Sequence, residues 1–245
     1  MDNVLLETKN VVKRFGGLYA VKNVSMQVRK GEIFGIIGPN GAGKTTLLNS
    51  ISGVYKPEEG QVLFKGEDIT AQKAHVLCKK GIARTFQIVR SFPRMTVLEN
   101  VKVGAVFGSN AIQDDDQKAR ELLDFVGFPL PLDTLASNLN TVQLKYLELA
   151  RALVTNCELL LLDEVAAGLT PTELVEFIEL IKRIRYRGIT VITIEHVMKF
   201  IMNICDHIIV LNYGEKIAEG RPDEIVANKL VLEAYLGKEH SVCAE

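Results

Sequence analysis

Residues 38–45 read Gly38-Pro39-Asn40-Gly41-Ala42-Gly43-Lys44-Thr45, which fills every fixed position of G-x-x-x-x-G-K-[ST]. Upstream, Ile33-Phe34-Gly35-Ile36-Ile37 is a short apolar run of strand character, and downstream Thr45 to Ser52 has helical spacing. A glycine-rich bend between a strand and a helix turns successive N–H groups inward, and the helix adds the positive end of its dipole. Such a bend holds phosphate oxygens. The expected cradle comprises Gly38, Pro39, Asn40, Gly41, Ala42, Gly43, Lys44, Thr45 and Thr46, with the Lys44 ammonium reaching the β- and γ-phosphates of a nucleotide and the Thr45 hydroxyl on Mg2+.

A carboxylate for the metal side is expected on another buried strand, and Leu159-Leu160-Leu161-Leu162-Asp163-Glu164 supplies it. Asp163 is placed to hold Mg2+, largely through water. Glu164 is placed to orient or deprotonate an attacking water. Outward from these two motifs, Val4 to Ile37 reads as a β-rich opening broken at Gly16-Gly17 and Lys30-Gly31, with further strands at Gln61 to Phe64 and Gly81 to Phe86. From about Thr96 the apolar residues recur at helical spacing (Val97, Leu98, Val101; Ala119, Leu122, Leu123, Val126), and Asp114-Asp115-Asp116 reads as a solvated helix start. After Glu158 strands and helices alternate: Leu159 to Leu162, Pro171 to Arg187, Ile189 to Ile194, Val197 to Asn203. Alternation of this kind predicts parallel strands with crossover helices. The expected architecture is α/β, a single domain over residues 1–245, with a core of about 1–95 and 155–245 and a helical subdomain of about 96–154.

Composition narrows the function. With 29 basic and 30 acidic residues the formal charge is −1, so the chain as a whole has no field to hold nucleic acid or anionic lipid. No apolar run approaches the roughly 20 residues of a membrane span, and the opening MDNVLLETKN lacks the order of a secretion signal, so the chain is expected to stay in the cytoplasm. Cys78, Cys157, Cys205 and Cys243 are scattered without CxxC spacing and read as free thiols.

Across nearly its whole length the sequence resembles the ATP-binding cassettes of ABC transporters, which implies a P-loop ABC cassette fold with an antiparallel β subdomain, and MgATP as ligand. The resemblance implies that Gln87, in Arg84-Thr85-Phe86-Gln87, touches metal or attacking water; that His196, ending Val191-Ile192-Thr193-Ile194-Glu195-His196, faces the γ-phosphate; and that Phe15 stacks on adenine. Within the family FGGLYAVKNVSM (15–26), GPNGAGKTTLLNSISG (38–53), GIARTFQ (81–87), FPRMTVLENV (92–101), AAGLTPTE (166–173), TIEHVMKF (193–200) and LEAYLG (232–237) are similar to the ATPases of branched-chain amino-acid importers. That likeness implies work at the cytoplasmic face of the membrane, with separate permease subunits and an extracytoplasmic binding protein, and no nucleic acid. ATPases that extract lipopolysaccharide share the length and similar ends, which leaves lipid export as an alternative.

One region departs from the family pattern. Where an L-S-x-G-Q signature is usual, this chain has Leu139-Asn140-Thr141-Val142-Gln143. Asn140 can still donate a hydrogen bond, but Val142 puts a β-branched side chain where a backbone N–H must approach phosphate. Val165 replaces a usual proline, and Thr170 a usual Asn or Asp. The expectation is weakened contact with ATP held by a neighbouring cassette, hence an asymmetric heterodimer with an intact partner ATPase. A homodimer with two slow sites and a weakly hydrolysing regulatory subunit are the alternatives.

Overall fold

The computed structural model describes residues 3–108 and 115–236. Asp114, Cys243 and Gly237, named above, lie outside them. Strands β1 (Val4–Phe15) and β2 (Leu18–Arg29) form a long antiparallel hairpin, followed by β3 (Ile33–Ile37) and helix α1 (Lys44–Ile51). Next come β4 (Glu59–Phe64), β5 (Glu67–Asp68), α2 (Ala74–Lys80) and β6 (Ile82–Arg84). Three helices follow, α3 (Val97–Phe107), α4 (Asp115–Val126) and α5 (Thr141–Leu153). The chain then runs through β7 (Leu159–Asp163), α6 (Pro171–Tyr186), β8 (Thr190–Ile194), α7 (Met198–Ile204), β9 (His207–Asn212), β10 (Glu215–Gly220), α8 (Pro222–Val226) and α9 (Lys229–Leu236).

The strands make two sheets. One is antiparallel in the order β2-β1-β4-β5; the other has the order β10-β9-β3-β8-β7-β6, parallel throughout except for β10. Period-two alternation splits the parallel strands between two cores. Ile33, Ile37, Leu160, Leu162, Val191 and Val210 face the helices that follow β6, whereas Phe34, Ile36, Leu161, Ile192, Ile209 and Leu211 share a core with α1 and the antiparallel sheet. Five of the parallel strands are thus sandwiched on both faces, which is why they read as unbroken apolar runs. In that arrangement ligands meet the carboxyl ends of the strands.

Caps fix the helix starts. Thr96, Asn140 and Thr170 each begin a helix with a reciprocal capping box, closed by Glu99, Gln143 and Glu173. Asp115 and Asp116 do stand in the first turn of α4, where Asp116 also meets Lys102 at 3.3 Å and Arg120 at 2.7 Å. Fully buried Asn100 ties down the loop before α3, donating to the carbonyls of Phe92, Met95 and Thr96 and accepting from Phe92 N–H.

One strand differs from expectation. Strand β6 stops at Arg84 rather than reaching Phe86: the Asp163 N–H that would continue the ladder goes to the Thr85 hydroxyl at 3.4 Å, and the outward Phe86 N–H meets Glu148 Oε1 at 3.2 Å. The apolar stretch Ile201 to Leu211 is a helix end plus a strand. Asp206 makes the break, accepting from Ile33 N–H at 2.9 Å and meeting Arg185 at 3.1 Å.

Candidate nucleotide-binding site

The ends of five parallel strands converge on one edge of the sheet, and each delivers a segment of the site. The loop after β3 is the most constrained. Gly38, Gly41 and Gly43 have φ of 147°, 78° and 100°, values that disfavour any residue with a Cβ. A Cβ on Gly38 would come 2.1 Å from the Leu211 carbonyl oxygen, and one on Gly43 would come 2.1 Å from that of Ala20. Gly43 is also the N-cap of α1 and gives it no side-chain cap, so the first-turn N–H groups keep their donors for a ligand. The β9–β10 turn braces the loop, with Gly214 N–H donating to the Ala42 carbonyl at 3.0 Å.

Lys44 is buried inside this bend. Its ammonium donates to the carbonyls of Gly38 at 2.8 Å and Pro39 at 2.9 Å. Burial lowers its pKa, while the charges of Glu164 and Asp163 act in the opposite direction. A cavity of about 260 Å³ opens over the loop, bounded by Gly41 to Thr46 together with Leu18, Tyr19, Ala20 and Tyr213.

At the end of β7, Asp163 is nearly fully buried and pairs with Arg84 at 2.8 Å. Burial raises its pKa, which the Arg84 contact opposes. Arg84 is itself held by Asn49 at 2.5 Å and Ser52 at 2.8 Å, so the carboxylate has a fixed orientation. Asp163 Oδ1 is buried without a partner. Among the described residues no trio of His, Cys, Asp or Glu could cage a metal. One open carboxylate oxygen near a phosphate seat is the donor set of a cation that keeps most of its water and takes phosphate oxygens, so Mg2+ fits.

Glu164 leaves the strand with φ of 50°, a region a side chain with a Cβ occupies at a cost of about 1 kcal/mol or more. Its N–H donates to the Ile194 carbonyl at 3.0 Å. Gln87 Nε2 donates to Glu164 Oε2 at 2.6 Å, and His196 Nδ1 lies 3.9 Å from the same oxygen. Residues 77 and 32 positions away from Glu164 therefore meet it at one point.

Other expected residues sit apart. Phe15 is 47% exposed, so it is no core residue; it packs edge-on against Tyr55 with ring centroids 5.3 Å apart, and Tyr19 rather than Phe15 borders the cavity. Asn140, Thr141, Val142 and Gln143 form the start of α5, where Asn140 Oδ1 accepts from Gln143 N–H and Gln143 Oε1 from Asn140 N–H, both at 2.9 Å. The substituted stretch is a well-formed helix cap.

Sequence reasoning missed three buried charged residues behind the site. Glu195, directly before His196, is fully buried and its pKa is pushed up to about 7 by burial. Glu148 is pushed up to about 7 for the same reason. Lys145 is buried on α5, its pKa lowered by desolvation. Charged letters on an amphipathic helix look like its solvated face, and only the spacing of Lys145 and Glu148 on the side of Leu149 and Ala152 could have flagged them.

A phosphate loop after one parallel strand and paired acids after another define a P-loop ATPase. A sequence profile of the ABC transporter family matches residues 21–167, and one described as a branched-chain amino acid ATP-binding cassette transporter matches residues 215–241. The high-affinity branched-chain amino acid transport ATP-binding protein LivG of Salmonella typhimurium is 40% identical over 97% of this chain and 100% of its own. A probable branched-chain amino acid transport ATP-binding protein LivG of Archaeoglobus fulgidus is 38% identical over 97% of both chains. A solved nucleotide-free ATP-binding cassette from an ABC transporter superposes with a TM-score of 0.88 at 34% identity, over 96% of this chain and 100% of that one. A dimeric cassette bound to ADP and phosphate gives 0.80 at 28%, over 89% and 99%. The chain belongs to the ABC transporter family, as an ATP-binding cassette.

Proposed function

We propose that the chain binds MgATP at this site and hydrolyses it to power import of branched-chain amino acids through separate membrane permeases. The observation that carries the reading is the convergence of the Lys44 loop, Asp163, Glu164, Gln87 and His196 on one edge of the sheet. In this reading the loop N–H groups and the Lys44 ammonium grip the β- and γ-phosphates, exchanging the loop carbonyls for phosphate oxygens. Thr45 and Asp163 Oδ1, with Gln87, hold Mg2+, which supplies charge neutralisation of the phosphates when bound. Glu164 orients the attacking water and accepts its proton, while His196 donates to the γ-phosphate. Phe15 stacks on adenine from the rim, a role its exposure permits.

The relatives' names and the C-terminal profile match support the cargo assignment. In this reading the translocation path lies in other subunits and the chain works at the cytoplasmic face; no helix among the described residues is long and apolar enough to cross a membrane. Proteoliposomes holding the assembled transporter, its binding protein and internal MgATP should accumulate radiolabelled leucine, and Glu164→Gln in this chain should stop it. Uptake that persists with Glu164→Gln, or a co-purifying permease that moves lipid instead, overturns the reading.

Val142 favours a second proposal, an asymmetric dimer in which a partner cassette with an intact signature completes this chain's site. ATPase activity of the mixed pair that is unaffected by Glu164→Gln here would refute it.

A further inference from the structure

The loop leaving Glu164 is gripped by two buried charged side chains from different elements. Lys145 on α5 is 8% exposed, and its ammonium donates to the Val165 carbonyl at 2.7 Å and to the Ala167 carbonyl. Glu195, at the end of β8, is fully buried, and its Oε1 accepts from the intervening Ala166 N–H at 2.6 Å. Three consecutive residues are thereby held through backbone atoms by side chains. The other Glu195 oxygen, Oε2, is buried without a partner.

Stability does not account for this pair. Taking an ammonium and a carboxylate out of water costs several kcal/mol per ion, about as much as good pairing returns, and apolar residues of similar volume fill such space as well or better. What the two charges supply is position. Glu164 sits at φ 50°, a conformation that persists only where its surroundings over-determine it. Upstream, its N–H is tied to Ile194; downstream, the braced loop sets the exit. Lys145 also lies five positions beyond Asn140, the N-cap of α5, so the helix that begins with the substituted signature carries the anchor of the Glu164 loop little more than a turn later.

We infer that Lys145 and Glu195 are positioning residues which, by gripping Val165 to Ala167, set the Glu164 carboxylate and make its placement depend on where α5 sits. The inference rests on Glu164 being the group that orients the attacking water. When the start of α5 is drawn onto a neighbour's nucleotide, the brace carries that displacement to Glu164, so hydrolysis in this chain answers to engagement of its partner-facing helix.

The test uses the full chain assembled with the permease and cassette that co-purify with it, reading phosphate release against MgATP concentration, nucleotide affinity and melting temperature. Lys145→Met is expected to lower kcat about 10-fold or more with half-saturation within about twofold, and to lower the melting temperature by several degrees, because the Val165 and Ala167 carbonyls lose their donor. Lys145→Arg, which still donates to both carbonyls, is expected to recover most of the rate. Glu195→Leu is expected to lose kcat similarly, and Lys145→Met with Glu195→Leu to be no slower than either alone, because both act on one loop. If Lys145→Met does not fold, Lys145→Gln is held to the same expectations. A kcat within about twofold of the parent, a loss of nucleotide affinity as large as the loss of kcat, or additive losses of kcat in the double variant overturn the inference. Glu164→Gln separates the two layers: undiminished turnover there sinks the role of Glu164, whereas its loss together with a silent Lys145→Met sinks the brace alone.

Discussion

The loop after β3 and the start of α5 are both helix N-termini, yet they are built differently. At α1 the cap is Gly43, with no side chain to satisfy the first-turn donors, and its backbone is wedged against the Ala20 carbonyl. At α5 the cap is Asn140, locked into a reciprocal pair with Gln143. The first end is stable only because neighbouring backbone holds it, and its N–H groups wait for a ligand. The second has its own side chains on two donors, the Asn140 and Gln143 N–H groups. A closed capping box keeps the helix start formed, which explains how Asn140 and Val142 can replace the usual signature residues without harming the helix. Folding and phosphate contact are separable demands at α5, whereas at α1 they coincide.

That contrast can be broken most severely at the glycines. Gly43→Ala should abolish detectable MgATP binding by calorimetry, since the added methyl has only a carbonyl oxygen to meet; retained affinity would mean that the loop is not the seat. Lys44→Ala comes next: one charge-assisted contact is worth about 1.5–3 kcal/mol, so affinity should fall roughly 10- to 100-fold with the fold intact by circular dichroism. At α5 the effects shrink and one changes sign. Val142→Gly should raise steady-state ATPase several-fold wherever this chain's helix covers a nucleotide, at a helix cost of about 0.5–1 kcal/mol. Asn140→Ala removes only the cap, about 1 kcal/mol, read as a melting temperature lower by a few degrees with cis MgATP affinity unchanged.

A pH titration sharpens the same comparison for the side of α5 that faces the sheet. Glu148 has Arg84 and Arg151 nearby, but burial dominates and its folded pKa is about 7, above the ordinary carboxylate value of 4.5. Its proton is therefore held more tightly in the folded state, so its contribution to stability is complete below pH 4.5 and is lost as pH rises through 7. Glu148→Gln keeps an acceptor for Phe86 N–H, and should flatten the fall in melting temperature across that window.

Much of this was legible before any coordinates. The phosphate loop, the acids ending β7 and the alternating C-terminal half are local patterns, because a buried parallel strand must be apolar along its length and its end must carry the polar residues. The meeting of Gln87, Glu164 and His196 could be expected only through family likeness, since nothing local to Arg84-Thr85-Phe86-Gln87 says where its loop comes to rest. Lys145 and Glu148 left only a faint trace, their spacing with Leu149 and Ala152, and Glu195 at the end of β8 left none, for a different reason. Burial of a charge is a property of three-dimensional neighbours, and a helix letter by itself does not say which face it shares. The early end of β6 likewise depended on a side chain, the Thr85 hydroxyl, taking the Asp163 N–H across the sheet.

The strand that carries the phosphate loop is flanked on one side by β9, and Gly38 lies hard against the Leu211 carbonyl. On the ribosome, residues 38–45 emerge long before residue 211, so the ATP seat cannot take its final shape until roughly the last strands have left the exit tunnel. A nascent chain that stops short of β9 lacks both the strand beside β3 and the Leu211 carbonyl against which Gly38 is packed.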